Sequence, residues 1–546
     1  MKQDLATELK DLIQDSLKEL DSNLELNAGV YLDFPTDTRF GELATNVAMR
    51  MSRIFKKSPA QIASSLIPIM QNKVKSKELD IYIKDIKLEG AGFINFYLAD
   101  RFFYDQLNDL IVKGRDALRL DLGKKTPVLI EFVSANPTGA LSVAHARQAA
   151  VGDCLANVLE FTGFKVEREY YLNDEGNQIN ILGRSVQLRL QELEGAKVEF
   201  PEDHYQGEYI YTIAKDAKVK KPEGKDWGDF AAEYILEIIK QELEDFGVKF
   251  DSWYSQRSLR ESGKIDEAFA FLKEKGFLFE EDGALWFRST QFGDDKDRVV
   301  IKSDGSYTYL APDIAYHRDK YRRGFKKIIN LWGPDHHGYI NRLKAAVQAL
   351  GYDASSISII IVQLATISRG GKPVLMSTRR GQYITLREVL DEVGKDAARF
   401  FFLMRRTSSH LDFDLEVAKK ETSENPVYYC QYAYARIASI LRSSSSTLKP
   451  DELDVRVLKE KEELDLIKKI WQFNAVLNIC VITEDPYMIS VYLQGLAETF
   501  HKFYDQHRVL GQDNQLTLAR LALIQAAQTV LGTGLELLGI THPDTM

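Results

Sequence analysis

The sequence predicts a three-part α/β protein: an N-terminal α/β domain, a central domain built on an open nucleotide-binding type of sheet, and an all-α C-terminal region. Three observations predict it. Val128 to Phe161, VLIEFVSANPTGALSVAHARQAAVGDCLANVLEF, reads as strand, turn and helix. Strand-like apolar runs alternate with helical patterns on both sides of that stretch. From about Asn425 onward only long amphipathic helical patterns remain. Within the first stretch, VLIEFV is a β-rich run short enough for a buried strand. SANPTGALS is a turn, broken by Asn136-Pro137 and Gly139. From Val143 the apolar residues Val151, Leu155, Val158 and Leu159 fall at helical spacing. Phosphates sit over the N-terminus of such a helix, where free N–H groups and the macrodipole attract anions. His145 falls in its first turn and Ser142 just before it; on the residues alone, a purely structural His145 stays open.

Composition narrows the class. With 546 residues the chain has room for three or four domains. A 45% hydrophobic and 28% charged content is that of a soluble globular protein. No apolar run is long enough to span a bilayer, and MKQDLATELKDLIQDSLKELDS reads as a charged amphipathic helix, not a signal peptide. Cys154, Cys430 and Cys480 are too scattered for a disulfide framework or a zinc pattern, which suits a reducing cytoplasm and predicts no protein-bound zinc. The net charge of −9 means that any RNA contact must use local patches.

In chain order, a helix over about 3–21 precedes VYLDFPTD and the helical GELATNVAMRMSRIFKK. SPAQIASSLIPIM is a helix capped by Ser58 with Pro59 at its first position. IYIKDIKLEGAGFINFYL alternates as two strands around Gly90-Ala91-Gly92. KVEREYYLND is a strand, and NDEGNQINILGRSVQLRL a loop and long helix. About 190–300 is an insertion with helices near 226–246 and 261–275. RVVIKS, SYTYLA and KIINLW are three strand candidates, with Asp304-Gly305 as a hairpin turn and a helix beginning near Asp313. The six Arg and Lys side chains between His317 and Lys327 are expected to form a solvated helix face, with RNA contact as the other reading. GPDHHGY places Asp335, His336 and His337 at a strand's C-terminal end, where ligands bind in open sheets; no third ligand is spaced to complete a metal site. SIIIVQLATISRGGKPVLMSTRRGQYITLREVLDEV is a strand, a glycine turn and a basic segment. ELDLIKKIWQFNAVLNIC is one of four long C-terminal helices.

Several of these strings carry a resemblance. SANPTGALSVAH resembles the first signature of class I aminoacyl-tRNA synthetases in the form found in arginyl-tRNA synthetases. That signature usually ends His-hydrophobic-Gly-His, so Ser142 and Ala144 depart from it. LMSTRRG resembles the second signature: Met376 and Ser377 match, Leu375 and Thr378 stand at the two lysine positions, and Arg379 and Arg380 supply charge. GELATNVA and GAGFINFYL resemble the domain with which that family touches the corner of the tRNA. YYLNDEGNQI is similar to a segment beside the amino-acid pocket, FGVKFDSWYSQRSL and GALWFRST to further parts of the same family, and QYAYAR and GLELLGITHPDTM to its anticodon-binding bundle. The resemblance covers nearly the whole chain in order. It implies an N-terminal additional domain at about 1–110, a Rossmann-like catalytic domain at about 111–420 and a helical anticodon-binding domain at about 421–546.

The same resemblance implies an arginine–tRNA ligase that uses ATP with Mg2+, L-arginine and tRNA(Arg), cytoplasmic and monomeric. Catalytic roles then fall to His145, Ser142, Met376, Ser377 and Arg379. ATP binding falls to Ala135, Asn136, Pro137, Thr138, Gly139, Ala144, His145, Lys372 and Arg380. Arginine binding falls to Glu131, Asn136, Tyr309, Asp313 and His336, because a planar, permanent cation asks for a carboxylate. A helix cap for Asp313 and a core hydroxyl for Tyr309 are the structural alternatives. A synthetase-like tRNA-binding protein that has lost activation is the alternative function, suggested by Ser142, Ala144 and Leu375.

Overall fold

The order in which strands are added reverses at β1 (Pro127–Glu131), in a sheet completed by β2 (Lys165–Leu172), β3 (Ser252–Ser255), β4 (Lys327–Trp332) and β5 (Ile357–Ile361). The strand order is β5-β4-β1-β2-β3 and every pairing is parallel. This is a computed structural model that describes residues 5–22, 30–35, 38–374, 383–444 and 449–546. Its backbone divides into two compact units, and the sheet belongs to the one formed by Arg115–Ser445, Gln472–Asp505 and Ala527–Met546.

Val128, Leu129 and Ile130 are all buried, the unbroken apolar run of a parallel strand covered on both faces. Helix α1 (Val143–Phe161) connects β1 to β2. It lies close on the sheet because Gly152 leaves room for the Phe132 ring, which a Cβ at that position would meet at 2.4 Å. From β1 the chain runs outward through β2 and β3, then resumes on the other side with β4. The crevice at the C-terminal ends of β1 and β4 is therefore the topological switch point, where open sheets bind ligands.

Helices α2 (Asn177–Leu193), α3 (Glu208–Lys220) and α4 (Trp227–Asp245) lie between β2 and β3. The antiparallel strands Leu278–Glu281, Ala284–Phe287 and Arg298–Ile301 lie between β3 and β4, followed by α5 (Leu310–Arg322). Asp304-Gly305 makes the expected turn, with Gly305 at φ 81°. SYTYLA is not a strand: a lone bridge joins Ile301 to Tyr307, and α5 already starts at Leu310, which puts Asp313 inside its first turn. Helix α6 (Ile340–Ala349) follows β4, and α7 (Leu386–Phe402) begins at a Thr385–Glu388 capping box. Two guanidiniums are fully buried. Arg147 donates to the carbonyls of Gln363, Arg406 and Ser409, and Arg399 to those of Phe246 and Leu538 and to Asp153.

The cluster from His317 to Lys327 is not simply a solvated face. Lys320 is completely buried, His317 is 2% exposed, and Arg323 is bonded to the buried Glu169. Glu131 on β1 draws the Lys320 ammonium in, and Glu169 on β2 holds Arg323, while Arg322 and Lys326 stay exposed.

The second unit, Met1–Gly114, Ser446–Trp471 and Gln506–Ala526, holds an antiparallel sheet ordered Leu43–Thr45, Phe93–Leu98, Ile83–Glu89. The helix Pro59–Ser76 begins at the expected Ser58 cap. GELATNVAMR is not one helix: Leu43–Thr45 joins the sheet before a helix starts at Val47. Trp471 packs against Phe34, Phe102 and Phe103, and Lys468 pairs with Glu42 at 2.8 Å. As expected, the C-terminal region is helical: Pro426–Ser443, Lys461–Trp471, Phe473–Thr483, Tyr487–Gln506 and Asn514–Leu537. ELDLIKKIWQFNAVLNIC forms two helices, broken at Gln472. No helix among the described residues is long and apolar enough to cross a membrane.

Candidate active site

A cavity of about 860 Å³ opens at the switch point. It is lined by Glu131 and Ser134–Asn136 at and after the end of β1, by Ala144, His145 and Gln148 of α1, by Trp332 to His336 and Tyr339 after β4, and by Tyr309 and Asp313 at the start of α5.

The α1 side presents a helix N-terminus and the His145 ring to the cavity. Val133 and Ser134 hold left-handed backbones at φ 66° and 40°, a strained geometry costing on the order of 1–3 kcal/mol per residue. Ser134 is fixed in turn: its hydroxyl donates to Glu131 at 3.2 Å and accepts the Tyr171 N–H at 3.1 Å. The Ser142 backbone N–H donates to His145 Nδ1 at 3.2 Å. Nδ1 therefore carries no proton, and the imidazole holds its hydrogen on Nε2. Burial lowers the His145 pKa to about 4, with Asp335 opposing the shift. The ring is thus a neutral N–H donor beside the helix N-terminus. Asn136 Nδ2 donates to Gln178 Oε1 at 2.8 Å.

The α5 side carries two carboxylates. Glu131 accepts from the buried Lys320 ammonium at 2.5 Å. Lys320 also donates to Asn330 at 3.1 Å, Asn330 meets His317 Nε2 at 2.9 Å, and His317 Nδ1 lies 2.8 Å from the Asp313 carbonyl. Burial, and secondarily the neighbouring Lys320, hold His317 well below the ordinary imidazole range, so it is neutral. The Asp313 side chain accepts from the Tyr339 hydroxyl at 2.6 Å and caps nothing. Burial raises its pKa to about 6, against the lowering pull of that bond. At neutral pH Asp313 is an ionised, poorly solvated carboxylate with no cation hydrogen-bonded to it among the described residues. Tyr309 is 82% exposed at the cavity edge, so it is not a core hydroxyl.

Of the residues singled out from the sequence, the cavity brings together Glu131, Ala135, Asn136, Ala144, His145, Tyr309, Asp313 and His336. Pro137, Thr138, Gly139 and Ser142 form the turn beside it without lining it. Lys372 is exposed on the strand Lys372–Pro373, paired with Arg369 across a Gly370-Gly371 turn. Met376, Ser377, Arg379 and Arg380 lie outside the described residues. Among the described residues, no group of three or more His, Cys, Asp or Glu side chains could hold a metal ion.

The catalytic-domain profile of class I tRNA synthetases of the arginine type matches residues 106–421. The chain belongs to the arginyl-tRNA synthetase family. The profile of the arginyl-tRNA synthetase N-terminal domain matches residues 7–98, and that of the DALR anticodon-binding domain residues 430–546. An arginine–tRNA ligase of Geobacter sp. (strain M21) is 46% identical over 95% of both chains, and that of Bacillus subtilis (strain 168) is 43% identical over 99% of this chain and 100% of the relative. The solved arginyl-tRNA synthetase of Thermus thermophilus shares the fold at a TM-score of 0.77, with 20% identity over 99% of this chain and 100% of the other.

For an arginyl-tRNA synthetase, the sequence left three residues in and behind this pocket unread. Lys320, which neutralises Glu131, had no signal, because its partner lies far away in the chain. Tyr339 and Gln178 stood inside quoted strings, GPDHHGY and NDEGNQI, but nothing in their spacing marked them.

Proposed function

We propose that the switch-point cavity is where this arginine–tRNA ligase activates its amino acid, with ATP at the α1 side and the arginine guanidinium at Asp313. The chemistry is two displacements. The arginine carboxylate attacks the α-phosphorus of ATP and pyrophosphate leaves. A hydroxyl of the terminal tRNA ribose then attacks the arginyl-adenylate and AMP leaves. The carboxylate is already a competent nucleophile, so the first step needs no general base and rests on positioning and on phosphate charge stabilisation.

In this reading His145 donates its Nε2–H to phosphate, with Ser142 holding the ring through its backbone N–H. The turn Ala135–Gly139 and Ala144 receive the nucleotide. Lys372, Arg379 and Arg380, with Met376 and Ser377, supply the second signature's part. Asn136 and His336 orient the backbone end of the arginine, and Tyr309 covers it. Glu131 and Asp313 face the guanidinium, but Glu131 is already neutralised by Lys320, so Asp313 carries the selection. The observation that carries this assignment is Asp313 itself: an ionised, desolvated carboxylate, bonded among the described residues only to a phenol, in the same cavity as a neutral imidazole at a helix N-terminus. Mg2+ would enter as part of the ATP complex.

The rest of the reading comes from the family. The N-terminal domain takes the corner of tRNA(Arg), the helical C-terminal domain the anticodon, and the enzyme works as a cytoplasmic monomer. Nothing favours the alternative of a tRNA-binding protein without activation. The test is aminoacylation with each of the twenty amino acids, together with arginine-dependent ATP–pyrophosphate exchange. Arginine alone should be charged, and exchange should appear only when tRNA is added. Charging of another amino acid, or tRNA binding without any charging, would overturn the proposal.

A further inference from the structure

The turn between β1 and α1 is held from behind by three phenols. The Tyr170 hydroxyl donates to the Ala135 carbonyl at 2.8 Å, Tyr209 to that of Thr138 at 2.6 Å, and Tyr383 to that of Ala140 at 3.1 Å. They come from separate places: β2, α3 and the segment leading into α7. Tyr170 is fully buried and belongs to the core, stacked on Trp253. Tyr209 and Tyr383 are different. Both hydroxyls converge on Gly139, where a Cβ would lie 3.5 Å from the oxygen of Tyr383 and 3.6 Å from that of Tyr209. Neither tyrosine lines the cavity.

The rest of the turn is anchored to the Tyr383 segment by backbone bonds. Val143 N–H donates to Ile384 at 3.3 Å, and Leu386 N–H to Leu141 at 2.8 Å. In a trans peptide the carbonyl of one residue and the N–H of the next point in opposite directions. Drawing the Thr138 carbonyl to Tyr209 therefore turns the Gly139 N–H the other way, and that N–H has no partner among the described residues. Burial raises both phenols above their ordinary range, so they remain donors at any physiological pH.

We propose that Tyr209 and Tyr383 are positioning residues for ATP: their hydroxyls hold the Thr138–Ala140 turn in the shape that receives the triphosphate, without touching it. This rests on the reading of that turn as the ATP site. The fold alone does not require the two hydroxyls, since a phenylalanine ring would fill the same space, whereas a turn that must meet phosphate with its backbone needs its carbonyls held.

The test uses the full-length chain carrying Tyr209→Phe, Tyr383→Phe, or both, with tRNA present throughout. Steady-state charging is measured against ATP and, separately, against arginine. A burst titration of adenylate counts active sites, and thermal melting checks folding. Each single variant should raise KM for ATP about three- to tenfold, the range for losing one hydrogen bond, and the pair should raise it further. KM for arginine, kcat and burst amplitude should stay within about twofold. An unchanged KM for ATP in all three variants would overturn the proposal. So would equal rises for ATP and arginine, or a lower burst amplitude at unchanged KM, because each marks a purely structural role. If the parent chain charges arginine and the variants behave this way, the inference falls while the proposed function stands; a parent that charges no arginine removes the function itself.

Discussion

Glu131, at the end of β1, and Asp313, in the first turn of α5, are carboxylates of one cavity held by opposite means. Lys320 gives Glu131 a buried ammonium at 2.5 Å, while Asp313 has, among the described residues, only the Tyr339 phenol at 2.6 Å. A carboxylate that already has its cation can still accept a hydrogen bond, but it offers little net charge to a second cation. A carboxylate held by a neutral donor keeps its charge, and burial raises its pKa because that charge is poorly solvated. Under the proposed function the difference separates two jobs that the family resemblance assigns together, with Glu131 shaping the pocket and Asp313 selecting the guanidinium. It also explains the network through Asn330 and His317, which keeps the Lys320 ammonium away from the open cavity.

The strongest way to break this comparison is Asp313→Asn. Removing one partner of a buried ion pair costs roughly 3–5 kcal/mol, so kcat/KM for arginine should fall by about two to three and a half orders of magnitude. The fold should not suffer. The folded Asp313 carboxyl is raised from 3.8 to about 6, so it contributes stability below its unfolded pKa that is lost as pH rises through about 6. Asparagine has no charge to desolvate, and the variant should melt no lower than the parent at pH 7. A variant that charges arginine within a few-fold of the parent would transfer selection back to Glu131.

Lys320→Met makes the opposite prediction. It strands the Glu131 charge and should destabilise the protein by about 3 kcal/mol, read in urea melts; Glu131→Gln in the same chain should return a good part of that loss. If Lys320→Met leaves stability intact, Glu131 is not held as an ion.

The pH dependence sharpens the contrast. If arginine binds ionised Asp313 as proposed, kcat/KM for arginine should fall about tenfold per pH unit below about 6, and Asp313→Asn should erase this limb. His145, lowered to about 4, stays neutral through that window and cannot produce it. The smallest effect belongs to Tyr339→Phe, which removes a bond favouring the carboxylate. It should move the limb to higher pH and lower kcat/KM at neutral pH by about two- to tenfold. A limb that does not move would mean the phenol does not tune Asp313.

Local signals were legible. Val128 to Phe161 formed strand, turn and helix because burial on both faces, Asn-Pro-Thr-Gly and helical spacing agree. Ser58 capped its helix through Gln61 as the pattern requires. What failed depended on distant partners. Lys320, one of the six basic residues from His317 to Lys327, read as solvent-facing, because sequence does not reveal that Glu131 waits on β1; Arg322, Arg323 and Lys326 are exposed as expected. SYTYLA has strand-like residues, but only Tyr307 bridges to Ile301 before the Thr308 N–H returns to Val300 at 3.0 Å and α5 begins. Asp313, His145 and Asn136 were legible by type and place; their protonation and partners were not, because those depend on burial.

The neutral state of His145 bears on inhibitor chemistry. Its single available proton sits on Nε2, and the ring brings no charge to the phosphate. With ATP and arginine placed as proposed, an acyl-adenylate mimic can replace the anionic phosphate with an uncharged sulfonyl linker and still meet the same donor. The other end of such a molecule has no comparable freedom in that placement: facing Asp313, it must keep a permanent cation.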